Sequence, residues 1–528
     1  MDIFHGQSLH TLFTGDLGLF SVSLIGVIWL LNIWKRSLKS KVQVPSVGAE
    51  GLFGSWITAF QWQSKARSFI QEGYEKHGDY AFKVARLNRW EVFICNEQLI
   101  SEYKNLMEGQ FSANAVTADM FQSKWTAPGA AEGVHKIPIQ LLAKALTWQR
   151  NRSTAADDPY FSEFVREFLY AWESNVQETS KENVDPQRLG ICEINCFETG
   201  TKIVSHLTAK SLVGYPLCRD AKLIDVFAQY GNAVPTSGFF IAMFPEILKP
   251  LAAKLCEAPR LSNFLNLTFM EEMRRRKFQV GNDPSDIMSW LWQWTHEKEP
   301  GKYSEFEIAQ SITSAVFGAI HTTTQVLVHC LFELATRPEY VKPLRDEVQE
   351  EFDRHGGWKK EGIESMLKLD SFIKECQRFN PLDSGSLARC ATNDFTFSNG
   401  LKVPRGTFVF APNAPVLFDE RNYSNPYEFD GYRFYRLGQK TGKPQDFRFV
   451  ATNSKYLQFG DGRHTCPGRY MASDEIRLLL GYILLHYDVA TKDGGPRPKN
   501  VLFQKILFPD MKASIVLKQR SQAKRRNL

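Results

Sequence analysis

One cysteine near the end of the chain has a setting that a structural cysteine does not need. Cys466 lies in the stretch 459-FGDGRHTCPGR-469, between a turn rich in Gly, Arg and His and a Pro-Gly step. Glycine allows a tight turn before the sulfur, and proline bends the backbone after it. Such a loop can direct several backbone N–H groups at the sulfur, which stabilises a thiolate. The neighbouring side chains that favour the same anion are Arg463, His464 and Arg469.

The local chemistry of this thiolate leaves two interpretations open. Cys466 could be a catalytic nucleophile with His464 as its base, because a nucleophilic cysteine needs a base close by. It could also be the axial ligand of a haem, whose two propionates need cationic partners. Residue spacing alone does not choose between them.

A long apolar segment must position the other polar residues of interest. Residues 305–337 are predicted to form a long helix that is apolar on most sides and therefore buried. Its centre nevertheless carries Gly318, His321 and the threonines 322–324. Threonine hydroxyls can bond to carbonyls one turn earlier, and with glycine nearby the helix can open locally. Threonines that only satisfy themselves inside a core helix are the alternative interpretation.

These features together resemble a known family. The stretch 459–469 resembles the haem-binding signature of the cytochrome P-450 superfamily, the haem-thiolate monooxygenases. The helical segment with Glu375 and Arg378 resembles that family's Glu-x-x-Arg pair, and Arg433 in 429-FDGYRF-434 resembles its third partner. The segment 318-GAIHTT-323 resembles the oxygen-activating helix. The chain is thus identified as a member of the fungal secondary-metabolism type, anchored in the microsomal membrane.

The resemblance implies a haem b whose iron takes the Cys466 thiolate as its axial ligand. It implies that Phe459, Gly460 and Gly462 shape the loop around the sulfur. It further implies that His464 and Arg389 contact the haem propionates. The family also has a Trp-x-x-x-Arg pair on an early helix that supplies a third propionate contact. This pair is taken to be missing here, and His135 or Lys136 is expected to replace it.

Two further groups of residues take their expected roles from the same resemblance. Glu375, Arg378 and Arg433 form a buried ion-pair network that holds the haem-binding core. Thr322 is the alcohol that organises water beside bound dioxygen, with Thr323 behind it. Most members place an acid before that threonine, whereas this chain has His321, which can also relay protons near neutral pH.

The N-terminus predicts a membrane anchor. Residues 17–34 form a charge-free apolar run, which as a helix spans roughly 27 Å. Lys35 and Arg36 follow it directly, so the rest of the chain is expected on the cytosolic side. A cleaved signal peptide and a buried core helix are the alternatives, but a signal peptide carries its positive charge before the apolar run.

The rest of the chain predicts one large domain that is mainly α with a small β portion, the cytochrome P-450 fold. Helical periodicity dominates, and strand-like alternation is confined to short pieces such as 79–87, 90–95 and 395–403. The predicted organisation is a lumenal segment 1–16, a transmembrane anchor 17–34, a basic and Pro/Gly hinge 35–54, a catalytic domain 55–517 and a basic tail 518–528.

Composition excludes several classes of function. The net charge is only +6 and no interior basic stretch alternates with aromatics, which argues against nucleic-acid binding. The nine cysteines are odd in number and lack the paired spacing of a zinc site, which indicates reduced thiols facing the cytosol.

The expected activity is insertion of one oxygen atom of O2 into a lipophilic substrate, a terpenoid or meroterpenoid, with electrons from an NADPH-dependent reductase. The expected location is the endoplasmic reticulum membrane, with a single span. Candidate pocket segments are 111–125, the helix face near Ala315, Val316 and Ala319, and the loops 382–387 and 507–510. A haem-thiolate isomerase or dehydratase, a polyketide or alkaloid substrate, and a non-catalytic haem or lipid carrier remain the alternatives.

Overall fold

The computed structural model describes residues 42–49, 51–87, 89–127, 137–154, 159–177, 190–277 and 283–520. The predicted anchor 17–34 and lumenal segment 1–16 lie outside the described residues. So do residues 35–41 and 50 of the basic hinge, residues 521–528 of the C-terminal tail, and the two proposed stand-ins His135 and Lys136.

Helices make up most of the described chain. They are α1 (Gly51–His77), α2 (Glu97–Tyr103), α3 (Ala113–Phe121), α4 (Ser123–Thr126), α5 (Ile139–Thr154), α6 (Tyr160–Trp172), α7 (Cys196–Leu212), α8 (Ala221–Ala242), α9 (Lys249–Lys254), α10 (Ala258–Arg276), α11 (Ile287–Lys298), α12 (Glu305–Thr336), α13 (Pro338–Arg354), α14 (Lys360–Ser365), α15 (Leu367–Phe379), α16 (Ala414–Leu417), α17 (Arg433–Thr441) and α18 (Arg469–His486).

The strands are short. They are β1 (Ser46–Val47), β2 (Ala81–Ala85), β3 (Trp90–Ile94), β4 (Phe111–Ser112), β5 (Ile191–Asn195), β6 (Gly385–Ala391), β7 (Phe395–Thr396), β8 (Lys402–Val403), β9 (Phe408–Pro412), β10 (Tyr487–Thr491), β11 (Val501–Phe503), β12 (Ile506–Phe508) and β13 (Ser514–Gln519). A six-stranded sheet has the order β1-β2-β3-β9-β6-β4, and a three-stranded sheet has the order β10-β13-β5. The pairs β11-β12 and β7-β8 stand alone. The predicted fold class, mainly α with a small β portion, is confirmed.

Helix α12 is the centre of the molecule, and it packs against α7, α8, α10, α15 and α18. A capping box begins it: the Ser304 hydroxyl accepts from the Glu307 N–H at 3.3 Å, and the Glu307 carboxylate accepts from the Ser304 N–H at 2.8 Å. The helix ends before Pro338, which disfavours helical backbone in the residue before it.

By length and composition α12 could cross a membrane, but 72% of its apolar window is buried inside the protein. It is therefore the core helix that the sequence predicted over 305–337. Its neighbours contribute most of the main apolar core, which includes Leu207, Phe227, Phe269, Leu331 and Phe372. Burial of these side chains fixes both the position of α12 and its rotation about its own axis.

Candidate active site

Cys466 lies between a single helical turn, Gly462–His464, and the N-terminus of α18. Its N–H donates to the carbonyl oxygen of Phe459 at 2.7 Å, which closes the loop on itself. Gly460 and Gly462 have φ values of +68° and +67°, in the left-handed region that favours glycine. A Cβ atom at Gly462 would lie 2.5 Å from the carbonyl oxygen of Lys104. The second glycine is therefore required by space as well as by conformation.

Opposing effects act on the Cys466 thiol. Burial raises the pKa of Cys466, whereas the backbone N–H groups of Gly468 and Arg469 and the charge of Arg469 lower it. These N–H groups belong to the first turn of α18, where the helix presents partial positive charge. Residues 464–472 are half-buried, although the rest of α18 is largely buried. The sulfur thus sits at an internal border, at a helix end suited to an anion.

Two contacts hold the loop against the rest of the protein. Asp461 accepts from the ammonium of Lys104 at 2.9 Å and from the hydroxyl of Thr452 at 3.3 Å. The ring of Phe459 packs edge-on against that of Phe449, with centroids 5.1 Å apart. The part of the loop that precedes the cysteine is therefore fixed at Phe459 and at Asp461.

The centre of α12 has one open face. Gly318 and Thr322 are exposed, although the helix is otherwise buried or half-buried over this stretch. A Cβ atom at Gly318 would meet nothing within 4 Å among the described residues. The Thr322 hydroxyl donates to the Gly318 carbonyl at 2.8 Å, so its lone pairs remain able to accept. Helix α12 also packs against α18, the helix that follows the cysteine loop.

His321 lies elsewhere than the sequence led us to expect. Its ring stacks on that of Phe197 with centroids 5.8 Å apart, and its Nε2 lies 3.2 Å from the carbonyl oxygen of Ala228. A Cβ atom at Gly231 would lie 1.8 Å from the ring, so α8 needs glycine there. Burial lowers the pKa of His321 to about 4, which leaves it neutral at ordinary pH.

The expectation that His321 relays protons beside Thr322 therefore has no support in this geometry. Adjacent residues on a helix point about 100° apart, because a turn takes 3.6 residues. With Thr322 on the open face, His321 turns toward α7 and α8. Thr323 is buried and does not share the open face.

The structure brings Glu375, Arg378 and Arg433 together. Arg378 donates to both carboxylate oxygens of Glu375 at 2.8 Å, and Arg433 Nε lies 3.2 Å from each of them. All three side chains are buried. Arg378 also donates to the carbonyl oxygens of Leu417 and Pro426, at 2.8 and 2.9 Å. The network thus ties α15 to the irregular chain that leads into α17.

Arg389 and His464 also lie close together. Arg389 is almost fully buried in β6 and donates to the carbonyl oxygens of Tyr103 and Lys104 at 2.7 and 3.1 Å. His464 Nε2 lies 3.7 Å from a carboxylate oxygen of Glu108. Burial and the charge of Arg389 lower the pKa of His464. The segment 103–108 therefore meets both predicted propionate partners beside the cysteine loop.

Sequence reasoning overlooked a pair with the family's Trp-x-x-x-Arg spacing, Trp148 and Arg152 on α5. The structure turns Arg152 away from the cysteine loop, since its guanidinium donates to the Pro284 carbonyl at 2.6 Å and lies 3.6 Å from Asp283. The spacing alone would have been misleading.

An aromatic group beside the centre of α12 was also missed. Phe317 packs edge-on against Phe121 of α3 at 4.8 Å and lies 6.5 Å from the ring of Tyr230 in α8. Val316, which the sequence suggested as a pocket residue, is instead fully buried in the main core.

The chain is similar to known proteins over most of its length. The family model for cytochrome P-450 matches residues 116–517. The cytochrome P-450 monooxygenase janQ of Penicillium janthinellum is 73% identical over 95% of this chain and 99% of its own length. The monooxygenase paxQ of Penicillium paxilli is 65% identical over 95% and 96%. The monooxygenase atmQ of Aspergillus flavus is 59% identical over 95% and 93%.

A solved structure shows the same fold. The retinoic acid-bound cyanobacterial CYP120A1 superposes with a TM-score of 0.64, at 17% sequence identity, over 90% of this chain and 99% of that one. The family match covers most of the chain, and the fungal relatives are similar almost end to end. This chain belongs to the cytochrome P-450 family and is a fungal-type monooxygenase.

Proposed function

We propose that this enzyme hydroxylates a terpenoid or meroterpenoid. The balanced reaction is R–H + O2 + 2 e⁻ + 2 H⁺ giving R–OH + H2O. The observation that carries the proposal is the aromatic wall formed by Phe121, Tyr230 and Phe317, which meets α12 one residue before the exposed Gly318. A large apolar wall next to few polar groups suits a bulky hydrocarbon skeleton.

The family carries haem b on a cysteine thiolate, and the residues here fit that group. A Cβ atom added at Gly318 would begin to fill the open space there and would meet no other atom within 4 Å among the described residues. A Cβ atom added at Gly468, two residues after Cys466, would likewise meet no atom of the described residues within 4 Å. Cys466 is half-buried just before α18, which packs against α12, and it supplies the only sulfur of the loop. When bound, haem activates dioxygen. In this proposal Cys466 holds the iron, Phe459, Gly460 and Gly462 shape the loop, and Thr322 orients water beside it.

Arg389 and His464 are proposed to bind the haem carboxylates. Arg389 is a buried guanidinium with neutral carbonyl partners, so an anion would satisfy its charge better than they do. His464 lies near it and near Glu108. Glu375, Arg378 and Arg433 are proposed to stabilise this haem-binding core without touching the haem.

A panel experiment tests the substrate class. Membranes containing the enzyme are incubated with an NADPH-dependent reductase, NADPH and ¹⁸O2, together with terpenoid, meroterpenoid, polyketide and alkaloid substrates. We expect one ¹⁸O atom in a terpenoid-derived product only. Incorporation solely into a polyketide or alkaloid would contradict the substrate class. Product formed without reductase or oxygen would indicate an isomerase or dehydratase instead.

The electron donor is proposed to be a membrane-bound NADPH-cytochrome reductase that docks on the cysteine side. Family members take electrons from a redox partner, and Arg463 is exposed beside the cysteine loop. An exposed cation there favours an acidic partner and accelerates encounter at low salt. Arg469 is less available, because it donates to the Cys466 carbonyl at 2.8 Å.

The proposed location is the endoplasmic reticulum membrane, with residues 17–34 as a single span. A surface of the catalytic domain supports membrane contact. Phe53, Ile57 and Phe60 are exposed on one face of α1 at helical spacing. A second exposed series follows from the end of α8 through α9: Met243, Ile247, Leu251 and Leu255.

The β11-β12 hairpin connects these two series. The ring of Phe239 in α8 packs edge-on against Phe503 of β11, with centroids 5.6 Å apart. Gln504 in the same hairpin donates its N–H to the Gln63 carbonyl of α1 at 2.9 Å. We call the seven exposed residues of α1, α8 and α9, with this hairpin, the apolar surface. A contiguous surface of this kind is typical of a membrane or protein contact.

A further inference from the structure

A polar stripe continues the open face of α12 toward its C-terminal half. Thr322, Gln325 and His329 follow one another at spacings of three and four residues, which places them on one side of the helix. Thr322 is exposed to the internal space, whereas Gln325 and His329 are more than nine-tenths buried. Two large polar side chains that are buried in the protein core need hydrogen-bond partners.

Neither buried side chain has its full set of partners among the described residues. Gln325 Oε1 and His329 Nε2 are both buried atoms without one. An unsatisfied buried polar atom costs about 1–3 kcal/mol, so such groups in native proteins are bonded to protein or to ordered water. The two positions are one helical turn apart, with Cβ atoms about 5–6 Å from each other.

The protonation of His329 makes the two atoms complementary. Arg497 Nη2 lies 3.1 Å from His329 Nδ1, and a guanidinium can only donate, so Nδ1 is the acceptor. The ring proton is then on Nε2, because burial and the charge of Arg497 keep the histidine neutral and lower its pKa to about 3. Nε2–H is thus an unsatisfied donor, and Gln325 Oε1 is an unsatisfied acceptor. One water molecule can accept from the first and donate to the second.

The stripe has an outlet at one end and the reaction site at the other. The Arg497 side chain is 21% exposed, and it also donates to Glu333 at 2.7 Å and to Asn380 at 3.1 Å. His329 lies seven positions beyond Thr322 on the helix, a rise of about 10 Å, which a few hydrogen-bonded waters span. The hydroxyl of Thr322 already donates to Gly318, so it is free to accept from the last water.

We propose that Gln325 and His329 hold a chain of ordered waters along α12, from the surface at Arg497 to Thr322, and that this chain delivers the two protons consumed per oxygen atom inserted. The inference rests on the proposed role of Thr322. It supplies a proton route that does not need His321, whose ring points away from the site. Gln325 and His329 are positioning residues, because they act through water.

A high-resolution crystal structure of the haem-loaded enzyme tests the water chain without any turnover. We expect an ordered water within hydrogen-bond distance of both Gln325 Oε1 and His329 Nε2. A direct protein partner on both atoms, or a dry apolar contact, would overturn the proposal. This outcome does not depend on which substrate the enzyme takes.

Turnover in H2O and D2O tests proton delivery. Gln325→Leu keeps the side-chain size and removes the acceptor, and we expect turnover to fall by about tenfold, with a larger solvent isotope effect. Spectrally measured substrate affinity should stay unchanged. His329→Leu is the second variant and should behave alike. Native turnover and isotope effect in both variants would refute the route.

Thr324→Val is the matched control. Thr324 is equally buried on the same helix and its hydroxyl also lacks a partner among the described residues, but it faces α7, where it would lie 3.5 Å from a Cβ at Gly200. We expect native turnover and a native isotope effect. A loss as large as that of Gln325→Leu would show that any polar deletion in α12 has this effect, and the proposal would fail. If the enzyme oxidises no terpenoid, only the proposed substrate class is contradicted. The proton route can still be tested, because the isotope effect can be measured with any substrate that the enzyme turns over.

Discussion

At the scale of single residues, the structure separates side chains that look alike in sequence. Cys466 and Cys196 both lie at a helix N-terminus, but only Cys466 also follows two nearby φ-positive glycines, Gly460 and Gly462. Glu475 lies on α18, six residues after its first residue Arg469, and is 1% exposed. Neither of its carboxylate oxygens has a partner among the described residues. Burial raises the pKa of Glu475 well above its ordinary value, so the group is a neutral acid in the folded protein.

Glu475→Gln should therefore stabilise the enzyme in a pH-dependent way. The unfolded chain ionises Glu475 above its ordinary pKa while the folded chain does not, so the native protein loses up to about 1.4 kcal/mol of stability per pH unit above that point. We expect the variant to unfold at higher denaturant than the wild type at pH 7–8, and at the same concentration near pH 4. Chemical unfolding across this range measures the difference. Equal stability of the two at every pH would contradict a protonated Glu475.

At the scale of elements, buried polar contacts hold helix α15 and connect it to the cysteine loop. Helix α15 presents Glu375 and Arg378 to the chain that enters α17, and Lys374 beside them donates to the Arg448 carbonyl at 2.8 Å. Asp370 on the same helix accepts from the Phe449 N–H at 2.8 Å. Since the Phe449 ring packs on Phe459, α15 reaches the cysteine loop through a short series of contacts.

Breaking the ion-pair network should destabilise the fold. Arg378→Ala leaves the Glu375 carboxylate buried with one arginine fewer, which costs about 3–5 kcal/mol. Arg260→Ala is the control, because Arg260 and Glu257 have the same spacing on α10 but are 76% and 67% exposed, and such pairs contribute about 1 kcal/mol or less. Urea unfolding and haem retention after purification measure both. Equal losses in the two variants would contradict the role of burial.

The orientation of His321 on α12 makes a second prediction at this scale. His321→Leu removes the imidazole but keeps an apolar side chain against Phe197, so we expect turnover within about twofold of the wild type. A proton relay in direct use would instead contribute about 10²–10⁴-fold. Turnover and its pH profile distinguish the two. A loss of that size, with a changed pH profile, would restore His321 to the proton path.

At the scale of the whole molecule, the apolar surface joins segments that are far apart in sequence: α1, the stretch from the end of α8 through α9, and the β11-β12 hairpin. Phe53 is 84% exposed on α1, and Ile247 is 81% exposed beyond the end of α8. The β11-β12 hairpin contacts both α1 and α8. A domain with this surface should bind a bilayer even without its predicted anchor.

Removal of residues 1–41 should therefore leave a protein that still floats with phospholipid vesicles. Adding Ile247→Ser, Leu251→Ser and Leu255→Ser should release most of it, because each buried apolar side chain contributes about 1.5–3 kcal/mol. Tyr427→Ser, at an exposed aromatic outside the apolar surface, is the control. Vesicle flotation gives the bound fraction. A truncated protein that never floats would contradict membrane contact by this surface.

Much of the site could be predicted from sequence because its signals are local. The glycines around Cys466, the Glu375–Arg378 spacing and the polar centre of α12 each lie within a few residues, so short-range geometry dictates them. The same holds for helix α12, whose predicted span of 305–337 differs from the observed one by a single residue. The strands of β2 and β3 were predicted for the same reason, from alternation over a few positions.

The sequence by itself determined the family, the cysteine ligand loop and the mainly helical fold. Only the tertiary structure decided which side of α12 is open, and so that His321 and Val316 are buried while Gly318 and Thr322 are exposed. It also decided that Arg152 turns away and that Arg433, 55 residues beyond Arg378, completes the Glu375 network. The reason is physical: local pattern sets the period of a helix, whereas the packing of distant elements sets its rotation.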